Sequence, residues 1–378
     1  MESKITVCID RLRLTDRIHA SFSTIELEEH GRIDFLCDTR SSNSEGGIFC
    51  SSKKAKSLLF SPNNGRSWYE VFKLTDAARI VRFHSGPNVH IVQTADPFYT
   101  FILSHDFEII KRFTGPRFPW HGSQGAGFSK SGTFIFSEYQ TGNDDIDLSI
   151  WRCPFPYDNL TPVLTKRAGR RPPIGEIRHF HTCFPDPYND GTWYASSGDI
   201  TSHNRFWIST DDGLNWIELI PRLENRSDIV NPERALRFTS AIVLQYKKLL
   251  WATDDGLGIG RPAVVLASID REIINLKITD FLDKNYARSL IKSDQGCLIV
   301  TEAKSETDFV DFFWINSEGK RISTIKMNNL TGDPSPVTIS RASSSFEGGV
   351  AFFNSIGAIA STSKRGILQI KLVKETQQ

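Results

Sequence analysis

The sequence lacks the features that mark several large classes of protein. Its six cysteines are scattered and form no Cys-x-x-Cys pair, so neither a disulfide framework nor a structural zinc site is expected. No run approaches the ~18 consecutive apolar residues that a membrane-spanning helix needs. The first residues, MESKITVCIDRLRL, have no apolar signal-peptide core. These absences predict a cytoplasmic protein with reduced thiols and no membrane span.

An excess of charge of one sign is also missing. Lys and Arg number 45 against 44 Asp and Glu, which gives a formal net charge of +1. Proteins that bind nucleic acid commonly carry clustered basic residues that neutralise phosphates, so a nucleic-acid partner is not expected. Apolar residues at 39% and charged residues at 24% are typical of a folded globular protein.

Short strand-like segments fill most of the chain. Runs of β-branched and aromatic residues, such as TFIFSEY, KLLWATD and GGVAFFN, are separated by Gly, Asn, Asp, Ser and Pro. Helical spacing of apolar residues is confined to short stretches, for example near residues 278–286. Strand-like runs with turn signals every ~8–12 residues are typical of a sandwich, a barrel or a propeller.

A repeated turn sequence favours the propeller. Residues 61–68 and 209–216 share the pattern Ser-x-Asp/Asn-x-Gly-x-x-Trp, and each copy lies between two apolar strands. The Asn or Asp can accept bonds from the backbone that follows it, the Gly can take a positive φ, and the Trp can pack beneath the turn. The pattern resembles the Asp-box (BNR) repeat of sialidases and other β-propellers, in which this turn is structural and lies away from the active site.

The spacing of the two turns predicts the number of blades. Gly65 and Gly213 are 148 residues apart (213 − 65), which is three blades of about 49 residues, and blades of ~40–50 residues are normal. Residues 1–378 are therefore predicted to form a single all-β domain, a β-propeller of seven four-stranded antiparallel blades, with six blades as the alternative. Blades are expected near residues 10–75, 76–115, 120–167, 176–221, 234–280, 286–328 and 335–374. The strand around Ile5–Leu12 is predicted to complete the last blade and close the ring, which removes exposed sheet edges.

An acidic or amide side chain stands at the same place in six of these blades, at the end of the second strand. These residues are Asp96, Glu138, Asp199, Asp254, Glu302 and Asn354. Equivalent positions lie at one depth around a propeller axis, so we expect the six to share one mouth. Arginine and histidine residues of the innermost strands, such as Arg82, are expected to face the same mouth in part, because side chains alternate along a strand. The competing interpretation is that Asp and Asn occur there only as turn formers.

The order of motifs within residues 120–260 resembles a group of bacterial Asp-box propellers that are loosely described as glycosidase- or sialidase-like and have no agreed reaction. Their order is Glu-Tyr-Gly, Arg-His-x-His with Asp-Pro-Tyr, Thr-Gly-Asp, the Asp box, then an Arg and Thr-Asp. The matching residues here are Glu138-Tyr139, Arg178-His179-Phe-His181, Asp186-Pro-Tyr188, Ser197-Gly198-Asp199, Arg237 and Thr253-Asp254. Gln140 replaces the Gly of the first motif, and the Arg-Ile-Pro motif of sialidases is missing from the N-terminal region.

The resemblance and the chemistry of the side chains together give the candidate site. The candidate catalytic residues are Glu138, Tyr139, His181, Asp199 and Asp254, and the candidate substrate-binding residues are Arg82, Arg178, His179, Arg237 and Glu302.

Three chemistries remain open for these residues. A glycoside hydrolase needs two carboxyl groups about 5 Å apart for retention or ~6.5–9.5 Å for inversion, and Glu138, Asp199 and Asp254 are candidates. A lyase acting on uronic acids needs a His or Tyr base and an Arg or metal that neutralises the sugar carboxylate. A divalent metal held by His179 and His181 with Asp199 is the third. Because a lone His-x-His more often fills a polar core, no cofactor is assigned.

The prediction is a carbohydrate-active enzyme, a hydrolase or a lyase, acting on an acidic or polar sugar or a glycoconjugate at the central mouth. A mouth lined by carboxylates together with Arg and His suits a polar, anionic ligand. The alternative is a propeller without catalytic activity that binds a glycan or a protein. Nothing in the sequence indicates the oligomeric state.

Overall fold

The computed structural model describes most of the chain. The described residues are 4–15, 18–26, 33–38, 47–52, 56–75, 78–117, 124–140, 145–169, 176–224, 231–255, 257, 260–283, 286–294, 296–302, 310–327, 338–342, 350–356 and 365–374. For residues 4–38, 52, 302, 310, 325–369 and 371–374 within these ranges, the backbone alone is described.

The described residues form thirty strands and two short 3-10 helices, Thr201–His203 and Pro232–Leu236. The strands make seven sheets of four or five strands within this part of the chain. Repeated, mostly antiparallel sheets of this kind are the blades of a β-propeller, so the predicted all-β propeller with seven blades is confirmed. Within the described residues, no helix is both long and apolar enough to cross a membrane.

Five of the described sheets each contain four strands that are consecutive in the chain. Their bounds are β3 Ile33–Asp38, β4 Ile48–Ser52, β5 Ser57–Ser61 and β6 Tyr69–Lys73; β7 Arg79–Ser85, β8 His90–Ala95, β9 Tyr99–Leu103 and β10 Ile109–Thr114; β11 Ala126–Phe128, β12 Phe134–Ser137, β13 Ile146–Cys153 and β14 Thr161–Ala168; β15 Phe180–Pro185, β16 Trp193–Ser197, β17 Phe206–Ser209 and β18 Ile217–Glu218; β24 Tyr286–Ser293, β25 Gly296–Glu302, β26 Val310–Ile315 and β27 Arg321–Met327.

The two five-stranded sheets contain the remaining strands. The first has the order β19-β23-β22-β21-β20, with β19 Ile220–Leu223, β20 Ala241–Gln245, β21 Lys248–Ala252, β22 Ala263–Asp270 and β23 Ile273–Phe281. Its added strand β19 runs parallel to β23. The second has the order β1-β2-β30-β29-β28, with β1 Lys4–Thr15, β2 Ile18–Glu26, β28 Thr338–Ala342, β29 Val350–Ile356 and β30 Arg365–Lys374.

The second five-stranded sheet joins the two ends of the sequence. β2 pairs antiparallel with β30, from Ile18 opposite Lys374 to Ile25 opposite Ile367. The N-terminal region therefore joins the last blade, as predicted, but the strand predicted to do so, around Ile5–Leu12, lies in β1 and pairs with β2 instead of β30. The predicted extent of the first blade, residues 10–75, was wrong, because β1 and β2 pair with the last strands and the sheet that follows begins at Ile33.

The chain divides into two compact units, one made of Met1–Ser85 and Arg288–Gln378 and the other of Gly86–Ala287. In the second unit, buried aromatic rings hold the segment that precedes β20. Phe238 stacks on Trp251 with ring centroids 4.6 Å apart, and the Trp251 indole donates to the carbonyl of Ala235 at 2.8 Å. Large buried rings of this kind contribute several kcal/mol to stability, so they fix the backbone around Arg237.

The second copy of the repeated turn has the predicted geometry. The main-chain N–H of Gly213 donates to Ser209 Oγ at 2.9 Å, and that of Asn215 donates to Asp211 Oδ1 at 2.9 Å. The Trp216 indole donates to the Gly213 carbonyl at 3.1 Å. Gly213 has a φ of 82°, in the left-handed region that favours glycine.

The first copy repeats these bonds. The N–H of Gly65 donates to Ser61 Oγ at 2.8 Å, that of Ser67 donates to Asn63 Oδ1 at 2.9 Å, and the Trp68 indole donates to the Gly65 carbonyl at 3.0 Å. Gly65 has a φ of 84°. Both turns therefore form the hairpins that the sequence pattern predicts.

The second turn also contacts the neighbouring sheet. Arg152, in β13, donates to the Asp212 carbonyl at 2.7 Å and to Asp212 Oδ2 at 2.9 Å. A Cβ at Gly213 would lie 2.1 Å from Ile135 Cδ1 in β12. The turn is therefore a packing element between two sheets of the second unit.

The cysteines whose side chains are described, Cys50, Cys153, Cys183 and Cys297, are buried free thiols. Burial raises the pKa of Cys153 to about 12, so this thiol is inert at neutral pH. For these four residues, the predicted burial is confirmed.

Candidate functional site

The candidate residues of the fourth blade meet at the carboxylate of Asp199. Arg178 and His179 precede β15, and Asp199 follows β16. Asp199 Oδ2 accepts a hydrogen bond from Arg178 Nη1 and lies 3.3 Å from His179 Nε2. Its Oδ1 lies 3.2 Å from His181 Nε2. Three side chains that are close in sequence therefore contact one carboxylate.

A β-bulge lies at His181, whereas Arg178 and His179 precede β15 and are not bound by its side-chain alternation. Side-chain alternation predicts that Arg178 faces away from His179 and His181 unless a bulge intervenes. The pairing of β15 with β16 shifts between Phe180 and Thr182, which leaves His181 as the extra residue. A bulge re-aims the side chain it carries and is common next to functional sites.

The backbone before and at Asp199 is adapted to this arrangement. A Cβ at Gly198 would lie 2.5 Å from Cε1 of His181, so only glycine lets the imidazole pack there. Asp199 itself has a φ of 84°, in a left-handed region that Asp enters more readily than most residues. Surrounding contacts hold this conformation, including the bond from Arg237 Nη1 to the Asp199 carbonyl at 3.2 Å.

The fifth blade adds an arginine and a second carboxylate. Arg237 Nη2 lies 3.4 Å from Asp199 Oδ1, and Arg237 Nε lies 2.7 Å from Asp254 Oδ1. The N–H of Asp254 donates to the Arg237 carbonyl at 3.0 Å. Arg237 therefore links two carboxylates from adjacent sheets. These contacts define the Asp199 cluster, which consists of Arg178, His179, His181, Asp199, Arg237 and Asp254.

Main-chain carbonyl groups anchor both histidines. His179 Nδ1 lies 2.7 Å from the Gln140 carbonyl oxygen, and His181 Nδ1 lies 3.0 Å from that of Phe238. The two Nε2 atoms are 3.1 Å apart. The histidines are 1% and 3% exposed respectively. Tyr139 is half-buried, and its ring centroid is 4.0 Å from that of His179.

The protonation states follow from burial and neighbouring charge. Burial, with the nearby His181 and Arg178, lowers the pKa of His179 to about 3, so its imidazole is neutral at pH 7. Burial alone would raise the pKa of Asp199, but its interactions with His181, His179 and Arg178 outweigh burial and hold that pKa well below its usual range. Asp199 is therefore ionised at neutral pH.

Glu138 is held by main-chain groups. It follows β12, is buried, and its Oε2 accepts the N–H of Ser149 in β13 at 2.7 Å. Burial raises the pKa of Glu138 to about 6, although the bond from Ser149 opposes the shift. Asp96 also follows its second strand, but it is exposed in a turn with a φ of 55°, as expected for a turn-forming Asp.

The remaining predicted residues lie in the unit of Met1–Ser85 and Arg288–Gln378. Arg82 is buried in β7. Glu302 is the last residue of β25, as predicted, whereas Asn354 lies inside β29 and not at its end. The side chains of Glu302 and Asn354 fall outside the described part of the structure. The roles of Arg82 and Glu302 remain predictions.

Sequence reasoning missed the groups that orient the histidines. The carbonyls of Gln140 and Phe238 belong to the main chain, so no residue type marks them. It also missed Gln124, whose side-chain amide accepts the N–H of Ala241 and donates to its carbonyl, both at 2.7 Å. The Gln124 amide bonds the main chain of Ala241 as a neighbouring strand would. The two residues are far apart in sequence, so no local pattern predicts this contact.

Neither a protein-family model nor a curated protein sequence matches this chain. Solved structures do share its fold. Virginiamycin B lyase from Staphylococcus aureus, solved with quinupristin, is 11% identical with a TM-score of 0.58, and the alignment covers 94% of this chain and 100% of that one. YCF48 from Cyanidioschyzon merolae is 9% identical with a TM-score of 0.54, covering 93% and 98% respectively. A chain of the mitotic checkpoint complex is 8% identical with a TM-score of 0.58, covering 98% and 94%. At these identities the likeness shows the β-propeller fold alone.

Proposed function

We propose that this chain is a carbohydrate-active enzyme that cleaves an acidic sugar polymer by elimination. The observation that carries the proposal is the convergence of Arg178 and Arg237 beside Tyr139 and the neutral His179. The side chains of the two arginines are 21% and 25% exposed, so part of each guanidinium remains open to a ligand. Guanidinium groups bind carboxylates in a forked geometry, as a uronic acid would require.

Hydrolysis fits these residues less well. A glycoside hydrolase needs one protonated carboxyl group as the acid and a second carboxylate as base or nucleophile. Asp199 and Asp254 both contact Arg237, and the pKa of Asp199 is lowered. Glu138 has a raised pKa, but its carboxylate bonds the main chain of β13. Glu138 therefore has the raised pKa of an acid but lies buried against the main chain, and Asp199 has the opposite shift.

The proposed elimination assigns a role to each group. Arg178 and Arg237 bind the sugar carboxylate and stabilise the negative charge that develops when the adjacent C5 proton leaves. Tyr139 is the candidate base for that proton. The C4–O bond then breaks, the C4–C5 double bond forms, and the departing oxygen takes the proton that Tyr139 removed from C5. His179 and His181 are too buried to contact a sugar, so we assign them the positioning of Asp199 and the arginines.

The test is a screen of uronic-acid and sialic-acid oligosaccharides with two readouts. Ultraviolet absorbance of the conjugated double bond reports elimination, and new reducing ends without that absorbance report hydrolysis. Arg178→Lys is expected to lower kcat/KM at least tenfold, about 1.4 kcal/mol, because lysine cannot form the forked contact. Arg112→Lys, an exposed arginine of β10, is the control and should retain full activity. New reducing ends without unsaturated product would refute elimination.

A binding propeller is the second candidate. The observation that favours it is that both oxygens of Asp199 are already occupied by protein groups, as in a structural polar network. This candidate predicts that an acidic oligosaccharide or a protein binds without turnover, and that Arg178→Lys weakens binding alone. Unsaturated product from any substrate would exclude it.

A further inference from the structure

We propose that His179, His181 and Asp199 bind a divalent transition-metal ion. The argument for the ion stands on the geometry of these three residues, and its role in turnover rests on the proposed function. One ligand atom from each residue lies within 4.8 Å of the other two. Imidazole and carboxylate ligands in this ratio suit zinc and related first-row ions.

Main-chain carbonyl groups set the tautomers of both histidines. Nδ1 of His179 and Nδ1 of His181 each face a main-chain carbonyl oxygen, at 2.7 Å and 3.0 Å. A carbonyl oxygen can only accept a hydrogen bond, so each Nδ1 carries a hydrogen. In a neutral imidazole the other nitrogen then has a free lone pair. Both Nε2 atoms are thereby prepared as ligands, and a carbonyl on the far nitrogen is the usual support of a metal-binding histidine.

The Nε2 atoms of His179 and His181 face each other and the carboxylate of Asp199. The two Nε2 atoms are 3.1 Å apart. His181 Nε2 is 3.2 Å from Asp199 Oδ1, and His179 Nε2 is 3.3 Å from Asp199 Oδ2. All four of these nitrogen and oxygen atoms can bind a cation, and a cation held between them would turn their close contacts into shared ligand contacts.

An ion satisfies these contacts better than a proton does. A proton on His181 Nε2 could form hydrogen bonds to Asp199 and to His179. It would leave the contact between His179 Nε2 and Asp199 Oδ2 without a hydrogen. Two ligands about 2.1 Å from one ion lie about 3.0 Å apart in octahedral and about 3.4 Å apart in tetrahedral coordination. His181 Nε2 lies 3.1 Å from His179 Nε2 and 3.2 Å from Asp199 Oδ1, and both separations fall within this range; His179 Nε2 lies 3.3 Å from the other carboxylate oxygen, Oδ2.

The surrounding charges indicate what completes the coordination. Arg178 and Arg237 balance Asp199 and Asp254, so the Asp199 cluster with neutral histidines has no net charge. A divalent ion makes the cluster cationic and leaves coordination positions for water or an anionic oxygen. The carboxylate of an acidic sugar is the ligand class that this combination selects, because the ion and the partly exposed arginines attract the same group.

The experiment measures metal binding directly. The full-length chain is stripped of metal and titrated with Zn²⁺ by calorimetry and with Co²⁺ by visible absorption, which reports nitrogen and oxygen ligands. We expect one equivalent to bind the unaltered protein and at least tenfold weaker binding in His181→Ala and Asp199→Asn. His90→Ala removes a buried histidine from β8 in the same unit and should bind as the unaltered protein does. Thermal unfolding without metal checks that each variant is folded, and His179→Gln replaces any variant that is not.

Three results would overturn the proposal. They are a folded protein that binds neither ion stoichiometrically, unchanged binding in folded His181→Ala, and nitrogen chemical shifts that show a doubly protonated His181 at neutral pH with Zn²⁺ present. The outcomes separate this proposal from the enzymatic one. Metal binding without turnover of any acidic sugar would leave the ion site standing and remove the lyase, whereas turnover that persists without metal binding would do the reverse.

Discussion

The buried carboxyl group of Glu138 makes stability depend on pH in a defined direction. Burial raises its pKa from 4.5 to about 6, so folding favours the protonated form. The stabilisation is fully present below pH 4.5 and is lost as the pH rises through 6. A shift of about 1.5 pK units corresponds to about 2 kcal/mol.

Glu138→Gln should remove this dependence, because an amide does not ionise and can still accept the Ser149 N–H. Relative to the unaltered protein, its free energy of unfolding should rise by about 2 kcal/mol between pH 4 and pH 7.5. Urea denaturation at the two pH values measures the difference. Glu108→Gln, an exposed glutamate, is the control and should show no such change. Parallel pH profiles for Glu138→Gln and the unaltered protein would contradict the burial argument.

The resemblance in motif order, together with the residue types, identified much of the Asp199 cluster but not how it is assembled. The motif order singled out Arg178, His179, His181 and Asp199, and the structure brings these four into contact. Strand alternation alone does not predict the bulge at His181, because a bulge depends on the pairing with β16. The partners of both Nδ1 atoms are carbonyl groups, which every residue has, so pattern reasoning had no signal for them.

The Asp-box turn is the element whose conformation the sequence predicted most completely. Its bonds are local, between residues at most four positions apart, and each position requires a particular side chain. The pattern does not predict which neighbouring residues the turn contacts. The contacts of Asp212 with Arg152, and of Gly213 with Ile135, cross to another sheet.

Gly213→Ala tests the two requirements on this glycine. The substitution places a Cβ at a φ of 82° and 2.1 Å from Ile135 Cδ1. Left-handed strain and overpacking together should cost about 2–5 kcal/mol. Gly260→Ala is the matched control, since Gly260 has a φ of 79° and no atom within 4 Å of the added Cβ, so strain alone should cost about 1–2 kcal/mol. Chemical denaturation of both variants measures the difference, and equal losses would show that the contact with Ile135 adds nothing.

At the scale of the whole molecule, the repeat spacing predicted the number of sheets because each blade repeats the same local pattern of strands and turns. The same reasoning misplaced the first blade. The residue types of β2 do not predict whether it pairs with β3 or with β30. Pairing between distant strands depends on which sheet edge is unpaired when the chain folds. The N-terminal completion was predicted only from the general need to cover a sheet edge.

Two truncations from the N-terminus test whether β1 or β2 is needed to complete the last sheet. Removing residues 1–15 deletes β1 and leaves β28, β29, β30 and β2 as a four-stranded sheet, the size of most blades here, so a folded monomer with cooperative unfolding is expected. Removing residues 1–26 also deletes β2 and exposes the whole edge of β30, whose unpaired N–H and carbonyl groups form a template for aggregation. Light scattering and thermal unfolding compare the two variants.

A synthetic β2 segment added to the shorter chain should restore the monomer, because it replaces the missing hydrogen bonds to β30. If both truncations instead unfold alike, pairing of β2 with β30 does not close this fold, and the last sheet is stabilised from elsewhere.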